Sequence, residues 1–403
     1  MFAASAIASE PPLSLQTLEA IAANDDPAVQ QLKLQAEAMA EAAVAAGQLP
    51  DPQLRLGAVS LPVDSFDLSQ EPMTQLQLGY RQRFAPGDSL QLRSQQVEMQ
   101  STALQSMADD RRLMNRQLLR EDYFNLLQQQ KMLQVVRSAA QLLEELVEVS
   151  GDYYATGRTQ QQDVLQAEVE YARMRDREIE VTERLEIHQA RLAKWLNNAW
   201  LTELVVSDAQ LNAPLAREEI SAKLSDHPRL VALSMTASSA ETAVSVAREQ
   251  TRPGWTLDVA YGARDGTNAN GTSRSDLISA VVSIDLPIFQ SQRQHRTIQA
   301  EANRLDAQWA HLQDAMRQMQ SELNREWASY QRNSQRLDLF NTSLLPQAQA
   351  SSEASMAAYQ AGVADFTMLL QSRLTQFELE LDYLRVQLEQ QVALSRLHYL
   401  AGE

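Results

Sequence analysis

The chain has 403 residues, no cysteine and a formal net charge of −17. The lack of cysteine excludes disulfides and thiolate metal sites, and the acidic balance argues against nucleic acid as a partner. Glycine and proline are scarce, at 12 and 13 residues, whereas Gln, Ala, Leu, Glu and Arg crowd the long middle stretches. These side chains lose little rotamer freedom in a helix, so the composition predicts a mainly helical protein.

Residues 1–12 are interpreted as the remnant of a signal peptide or as a disordered N-terminus. The run Ala6-Ile7-Ala8 resembles the small-residue end of a signal peptide, but the charged start and most of the apolar stretch are missing. No apolar run in the chain approaches the roughly 20 residues that a transmembrane helix needs. A helical membrane anchor is therefore not expected.

A short helix over residues 26–46 is predicted to lead into two segments of alternating polarity, 53–60 and 74–84. Apolar side chains alternate with polar ones along both, Leu54, Leu56, Leu76, Leu78, Tyr80 and Phe84 against Gln53, Arg55, Gln75, Gln77, Arg81 and Arg83. A period of two predicts strands with one apolar and one polar face. Each segment has about ten residues, the length of a tilted membrane strand.

The next stretch contains neither glycine nor proline from Ser89 to Ser150, which predicts one very long helix. At 1.5 Å per residue it would reach about 90 Å, a length that suits coiled-coil packing and not a compact globular core. Glycine is the usual residue where a helix ends in a left-handed turn, so Gly157 is predicted to end this helix, just after Tyr154. A return helix over about 158–197 is expected to follow.

The second half is predicted to repeat this order. Strands over 255–264 and 276–286 are joined by the polar loop 265–275, and a second stretch without glycine or proline, from Ile288 to Leu345, leads to a turn at Gly362. Apolar residues recur at steps of three, four and seven along this helix, as packed helices require: Ile298, Leu305, Trp309, Leu312, Met316, Met319 and Leu323.

Matching positions support an internal repeat. Asp26-Pro27 corresponds to His227-Pro228, and the turn at 154–157 corresponds to the turn at 359–362. The chain is therefore divided into a first structural repeat, residues 13–205, and a second structural repeat, residues 206–403.

Four strands in one chain would leave two unpaired edges. In hydrocarbon, unpaired backbone groups cost several kcal/mol each, so the sheet is expected to close with other copies of the chain. Two copies would give a filled barrel, whereas three would give twelve strands and a water-filled channel, which favours a homotrimer. Arg55, Arg81, Asp258 and Asp285 are the candidate lumen-facing side chains, and the apolar face would contact lipid.

On these residues, the chain resembles the TolC family of outer-membrane efflux proteins. The Tyr-x-x-Gly turns at 154–157 and 359–362, the strand exits at 84–86 and 286–289, and the doubled helix–strand–strand–helix order carry the resemblance across nearly the whole chain. It implies a trimeric 12-stranded barrel in the outer membrane of a Gram-negative bacterium, with long antiparallel coiled-coil helices that form a periplasmic tunnel.

The resemblance also implies partners and a role. The chain would dock to a periplasmic adaptor and to an inner-membrane pump, of RND type, that supplies the energy. This chain would be a passive duct with no catalytic residue, metal site or cofactor. The segments 49–54, 62–66 and 71–75 look like those of members that accompany heavy-metal efflux pumps, so heavy-metal cations are one expected cargo.

Acidic residues after the second glycine turn narrow the periplasmic end in this family. The matching positions here are Met368 and Gln371, so the sequence departs from that pattern. Asp163 and Asp365 are the nearest candidates for a gate, and stabilisation of a helix start by a negative charge is the alternative role for both. Arg158 is a candidate adaptor contact, or else a solvated surface arginine.

Other chemistry has little support in the sequence. The five histidines are scattered, and none pairs with a second histidine at a ligand spacing of three or four residues. The rival interpretation is a periplasmic coiled-coil adaptor or scaffold without a membrane barrel. It explains the helices, but it explains the four alternating segments poorly.

Overall fold

The computed structural model describes residues 14–24, 26–196 and 205–403. The segment interpreted as a signal-peptide remnant, residues 1–12, lies outside the described residues, as does the predicted end of the first return helix at Asn197.

The described elements follow the predicted order twice. In the first half they are α1 (Leu15–Asn24), α2 (Pro27–Ala46), β1 (Gln53–Val59), β2 (Gln75–Phe84), α3 (Ser89–Ala155) and α4 (Gln161–Ala193). In the second half they are α5 (Arg217–Lys223), α6 (Pro228–Glu249), β3 (Trp255–Ala263), β4 (Leu277–Ile284), α7 (Gln294–Leu339), α8 (Leu345–Gln360) and α9 (Phe366–Ala401). The mainly helical fold with a small four-stranded sheet is therefore confirmed.

The four strands form one antiparallel sheet in the order β1-β2-β3-β4. Strands β2 and β3 belong to different halves of the chain, and they pair along nine positions from Leu76–Ala263 to Phe84–Trp255. Strands β1 and β4 are the two edges, so each half contributes one inner strand and one edge strand.

The chain forms two compact units, and each draws on both halves of the sequence. The helical unit comprises the described residues of Met1–Gln30, Asp109–Pro228 and Met316–Glu403, and the sheet unit comprises Gln31–Ala108 and Arg229–Ala315. Helices α3 and α7 therefore contribute residues to both units. Helix α3 has 67 residues, which at 1.5 Å per residue is about 100 Å.

The helical unit packs an apolar core along α3, α4 and α9. Val136, Leu143, Ala167 and Leu370 are fully buried there. A half-buried ion network joins α3, α7 and α9, because Arg396 binds Glu121 at 2.9 Å and Glu326 at 3.3 Å. Removing one partner of such a pair would leave the charge of the other uncompensated.

The sheet unit brings helices close together through small residues. Ala36, Ala43, Ala103 and Ala237 are buried, and the Ser101 hydroxyl donates a hydrogen bond to the Ala36 carbonyl oxygen at 2.7 Å. Such contacts need closely approaching helix backbones, which large side chains would prevent. The stretch Arg217–Glu249 has the length and apolar character of a membrane-crossing helix, but a 3₁₀ turn at Leu224–Asp226 interrupts it and buried residues of α6 pack within this unit.

One feature of the second long helix was not predicted. A π-helical segment, Phe340–Leu344, separates α7 from α8 directly before Pro346. Proline has no backbone N–H to continue the α-helical ladder, and a wider turn accommodates that loss without ending the helix.

Candidate functional site

The sheet has two chemically different faces. Register partners in an antiparallel sheet point to the same side, so the pairing defines rows such as Leu56–Leu78–Tyr261–Ile278 on one face and Gln53–Arg81–Asp258–Val281 on the other. We call these the apolar face and the polar face. The alternation predicted from sequence therefore holds along most of the sheet, although Val59, Leu277 and Val281 interrupt the polar face.

The apolar face is exposed to solvent in the single chain. Its large exposed side chains are Leu54, Leu56, Leu76, Leu78, Tyr80, Trp255, Val259, Tyr261, Ile278, Val282 and Ile284. At the helix end of the sheet Phe84 and Trp255 are stacked, with ring centroids 3.8 Å apart. A contiguous apolar surface of this kind marks contact with lipid or with another protein.

Gln82 is the polar exception on the apolar face, and its polar groups are satisfied within the chain. Its Nε2 donates hydrogen bonds to the carbonyl oxygens of Pro50, at 2.9 Å, and Arg83, at 3.1 Å. Its Oε1 accepts a hydrogen bond from the Tyr80 hydroxyl at 3.4 Å. The glutamine therefore presents no unpaired amide on this face.

The polar face carries all four candidate lumen-facing residues. Asp258 Oδ1 accepts hydrogen bonds from Arg55 Nη2 at 2.9 Å and from Arg81 Nε at 2.8 Å. Asp285 lies further along the same face, with Oδ2 3.8 Å from Nη2 of Arg83. The arginines come from the first half of the chain and the aspartates from the second, so this cluster depends on the pairing of β2 with β3.

Among the described residues, no strand pairs with the outer edge of β1 or of β4. All seven residues of β1 and all eight residues of β4 are exposed. An exposed strand edge presents a row of free N–H and C=O groups that can pair with another chain.

The loops at the other end of the sheet are tied to each other. Arg274 Nη1, in the β3–β4 loop, lies 3.0 Å from the carbonyl oxygens of Ser69 and Glu71 in the β1–β2 loop. It also lies 3.0 Å from the carbonyl oxygen of Asp265 in its own loop. This clamp was not predicted, because nothing in the local sequence pairs Arg274 with residues about 200 positions earlier.

The two glycine turns have the same structure. Gly157 and Gly362 adopt φ values of 70° and 72°. In the first turn Gly157 N–H donates to Tyr154 O at 3.0 Å and Arg158 N–H donates to Tyr153 O at 2.8 Å; the second turn has the same two bonds, at 3.0 Å each, from Gly362 and Val363. This pattern is the Schellman motif, which satisfies the last carbonyl groups of a helix.

Aromatic rings join the two turns. The ring centroids of Tyr153 and Tyr359 are 5.9 Å apart, and Phe366 lies 5.8 Å from Tyr359. The Arg158 guanidinium lies over the Tyr153 ring at 5.9 Å. Burial, together with the nearby Tyr153 and Asp163, raises the pKa of Tyr359. Tyr154, the tyrosine predicted at this turn, is exposed, and its neighbour Tyr153 takes part in the cluster instead.

The two candidate gate aspartates occupy different environments. Asp163 Oδ2 accepts hydrogen bonds from the Thr159 hydroxyl at 2.6 Å and from the Gln160 N–H at 3.2 Å, which holds the start of α4. Asp365 precedes α9 as its N-cap residue, but its side chain makes no capping hydrogen bond. The exposed carboxylate of Asp365 is thus the freer of the two.

Within the described residues, no group of three or more His, Asp or Glu side chains has the arrangement of a metal site. Each unit therefore has its own candidate site: the sheet unit has a two-faced sheet with a charged cluster on its polar face, and the helical unit has a pair of helical turns.

Comparison with known proteins identifies relatives of this arrangement. The family model described as outer membrane efflux protein matches residues 220–403. A search of curated protein sequences finds no match.

Solved channel structures have the same fold. The outer membrane protein VceC from Vibrio cholerae is 18% identical, with a TM-score of 0.81 over 96% of this chain and 96% of that chain. The CmeC outer membrane channel of Campylobacter jejuni is 13% identical, with a TM-score of 0.78 over 96% and 85%. CusC is 15% identical, with a TM-score of 0.79 over 96% and 91%. These similarities show that the chain has the fold of these channels.

Proposed function

Because the outer membrane efflux protein model matches residues 220–403, we propose that the chain is a member of this family and that three copies close their sheets into one barrel. We infer from the same match that the protein is an outer-membrane component of an efflux system. In our proposal it acts as a passive duct, and the cargo moves through it without any chemical step on this chain.

The observation that carries the proposal is the exposure of both edge strands. Strands β1 and β4 are exposed along their whole length. The apolar face of the sheet extends across both of them. Hydrocarbon contains no water to satisfy free backbone groups, so a sheet that enters it must close. Pairing β4 of one copy with β1 of the next removes every edge.

Three copies fit the polar face better than two. Four strands per chain give eight in a dimer, whose interior has room only for side chains, and twelve in a trimer, which leaves an aqueous channel. Charged residues such as Arg83 and Asp285 are well solvated in the single chain, and a wet lumen keeps them so.

In this proposal the long helices extend the duct into the periplasm and carry the turns that contact its partners. Helix α3, at about 100 Å, is long enough to cross much of a periplasm. We expect a periplasmic adaptor to contact the turns at Gly157 and Gly362, with Arg158 and Asp365 among the contacts, and an inner-membrane pump to supply the energy.

Cysteine labelling in outer-membrane vesicles tests the proposal, because the natural chain has no cysteine. Val282 and Ser283 are neighbours on opposite faces of β4. We expect Ser283→Cys to react with a charged thiosulfonate, and Val282→Cys to react only with an apolar maleimide. Chemical cross-linking of the detergent-extracted protein should give a trimer. Equal reaction of both cysteines with the charged reagent, in a protein that is soluble without detergent, would overturn the proposal.

A further inference from the structure

The charge of the polar face differs in sign from the charge of the chain as a whole. The chain carries −17, yet the charged side chains on the polar face of the strands and of the residue that follows β4 are Arg55, Arg81, Arg83, Asp258 and Asp285. Three arginines against two aspartates leave one positive charge per copy. This excess bears on which solutes pass, an inference that rests on the proposed trimeric duct.

The more central aspartate is hidden behind guanidinium groups. The Asp258 side chain is 13% exposed, whereas its partners Arg55 and Arg81 are 52% and 39% exposed. Both arginines donate to the same oxygen, Oδ1 of Asp258. A solute on this face therefore meets two positive groups before it meets the carboxylate.

Arg83 carries its charge into open solvent. It lies 3.8 Å from Asp285, and both side chains are 72% exposed, so this pair is loose and strongly hydrated. Arg83 and Asp285 also line a cavity of about 1090 Å³ where the strands meet the helix ends. The charged residues that line this cavity are Arg83, Arg93, Arg252 and Arg293 against Asp51 and Asp285.

We propose that this stretch of the duct favours anionic solutes and that Arg83 is the residue that sets the preference. Three copies would arrange Arg83 as a ring at the helix end of the barrel. Charges of one sign that line a passage with low-dielectric walls raise the local concentration of the opposite ion. A heavy-metal cation, the cargo expected from residues 49–75, would meet an unfavourable potential at this ring.

A cysteine next to Arg83 measures that potential directly, whether or not the periplasmic end is open. Thr256 is the register partner of Arg83 on the polar face, and paired Cα atoms lie about 5 Å apart. In the Thr256→Cys variant, the rate of reaction with an anionic thiosulfonate is divided by the rate with a cationic one. The reference is Ala269→Cys in the exposed β3–β4 loop.

We expect the anionic-to-cationic rate ratio at Thr256→Cys to exceed the ratio at Ala269→Cys by about threefold to tenfold at low salt. In the Thr256→Cys background, Arg83→Lys should keep this excess, Arg83→Gln should remove most of it, and Arg83→Glu should invert it. Asp285→Asn should increase it. High salt should reduce all of these differences.

Two failures have different meanings. A ratio at Thr256→Cys equal to or below the reference, or one that does not respond to Arg83→Glu and Asp285→Asn, overturns the anion preference while the duct stands. If Thr256→Cys reacts with neither reagent and Val282→Cys reacts with both, the polar face does not line water. That result overturns the proposed duct itself.

Discussion

Arg274 Nη1 lies 3.0 Å from the carbonyl oxygen of Ser69, although 205 residues separate them in sequence. The same nitrogen lies 3.0 Å from the carbonyl oxygens of Glu71 and Asp265. One side chain thus fixes the two loops that follow β1 and β3. The clamp lies at the end of the sheet away from the helices, where loops would otherwise move independently.

Arg274→Ala should loosen both loops without unfolding the sheet. The change leaves carbonyl groups without their donor, at a cost of about 1–3 kcal/mol for the loop conformation. Gly266→Ala should act in the same direction, because a Cβ there would lie 3.0 Å from Arg274 Nη1 and the glycine has a φ of +99°. Hydrogen exchange over residues 61–73 measures the effect. Arg304→Ala, which removes an exposed arginine of α7, is the control and should leave these loops unchanged.

The two turn glycines should be intolerant of alanine, in contrast to a glycine inside α3. Gly157 and Gly362 have positive φ and no atom near the position of a Cβ, so the cost of alanine is conformational, about 1 kcal/mol each. Gly151 lies within α3, also without a nearby atom, and alanine there should stabilise the helix by about 0.5–1 kcal/mol. Hydrogen exchange of residues 145–165 should rise for Gly157→Ala and fall for Gly151→Ala. Equal responses would contradict the assigned backbone role.

Substitution of the two candidate gate aspartates should have different effects on helix stability and on conductance. Asp163→Ala removes two hydrogen bonds at the start of α4 and should lower helix stability by about 1 kcal/mol. Asp365→Ala removes no capping bond of its side chain, so stability should change little. If Asp365 narrows the duct, its alanine variant should raise conductance across planar bilayers, whereas Asp163→Ala should not. The opposite assignment of conductance would make Asp163 the gate residue.

Stability of the helical unit should fall as the pH becomes acidic because of His398. Its Nδ1 lies 3.3 Å from Arg120 Nη1 and its Nε2 lies 3.1 Å from the Asn212 carbonyl oxygen. Arginine can only donate, so Nδ1 accepts and Nε2 carries the proton of a neutral imidazole. Burial, and then the charge of Arg120, lower the pKa of His398.

The folded protein therefore binds this proton more weakly than the unfolded chain does. The free energy of unfolding should drop as the pH falls through and below about 6.5, the pKa of an unperturbed histidine. Guanidinium denaturation at pH 7.5 and 5.5 measures the drop. His398→Gln should reduce the difference between the two pH values, while His311→Gln, an exposed control on α7, should leave it as in the natural chain. A drop unaffected by His398→Gln would assign the titration to another group.

The strand boundaries were predictable to within one or two residues, because alternation of polar and apolar side chains fits a strand and does not fit a helix. The predicted segment 74–84 corresponds to Gln75–Phe84, and 276–286 corresponds to Leu277–Ile284. The turns at Gly157 and Gly362 were equally predictable, since few residues other than glycine accept the left-handed conformation of a Schellman motif.

Features that depend on long-range contact were missed. The short helix α1 (Leu15–Asn24) has only ten residues, too few for its sequence pattern to predict a helix. Leu18 packs this helix against α3. The clamp at Arg274 also depends on contacts between residues far apart in sequence. Stabilisation of a helix start was the alternative role for both Asp163 and Asp365, and only the structure shows that Asp163 makes the capping hydrogen bonds. The helical pattern was also incomplete as a guide to burial. Met319 and Leu323 are fully buried, but Trp309 and Met316, at the same spacing, are exposed in the single chain.

The pairing of β2 with β3 has a consequence for how such a pore wall can diversify. A ring built from separate half-length chains would place identical side chains at every junction, so an arginine hairpin would always adjoin another arginine hairpin. Fusion of two copies into one gene lets the neighbours evolve apart. Here the first copy supplies Arg55 and Arg81 and the second supplies Asp258. In the proposed ring, the junction between the two halves of each chain is therefore attractive, where two arginine hairpins would repel each other.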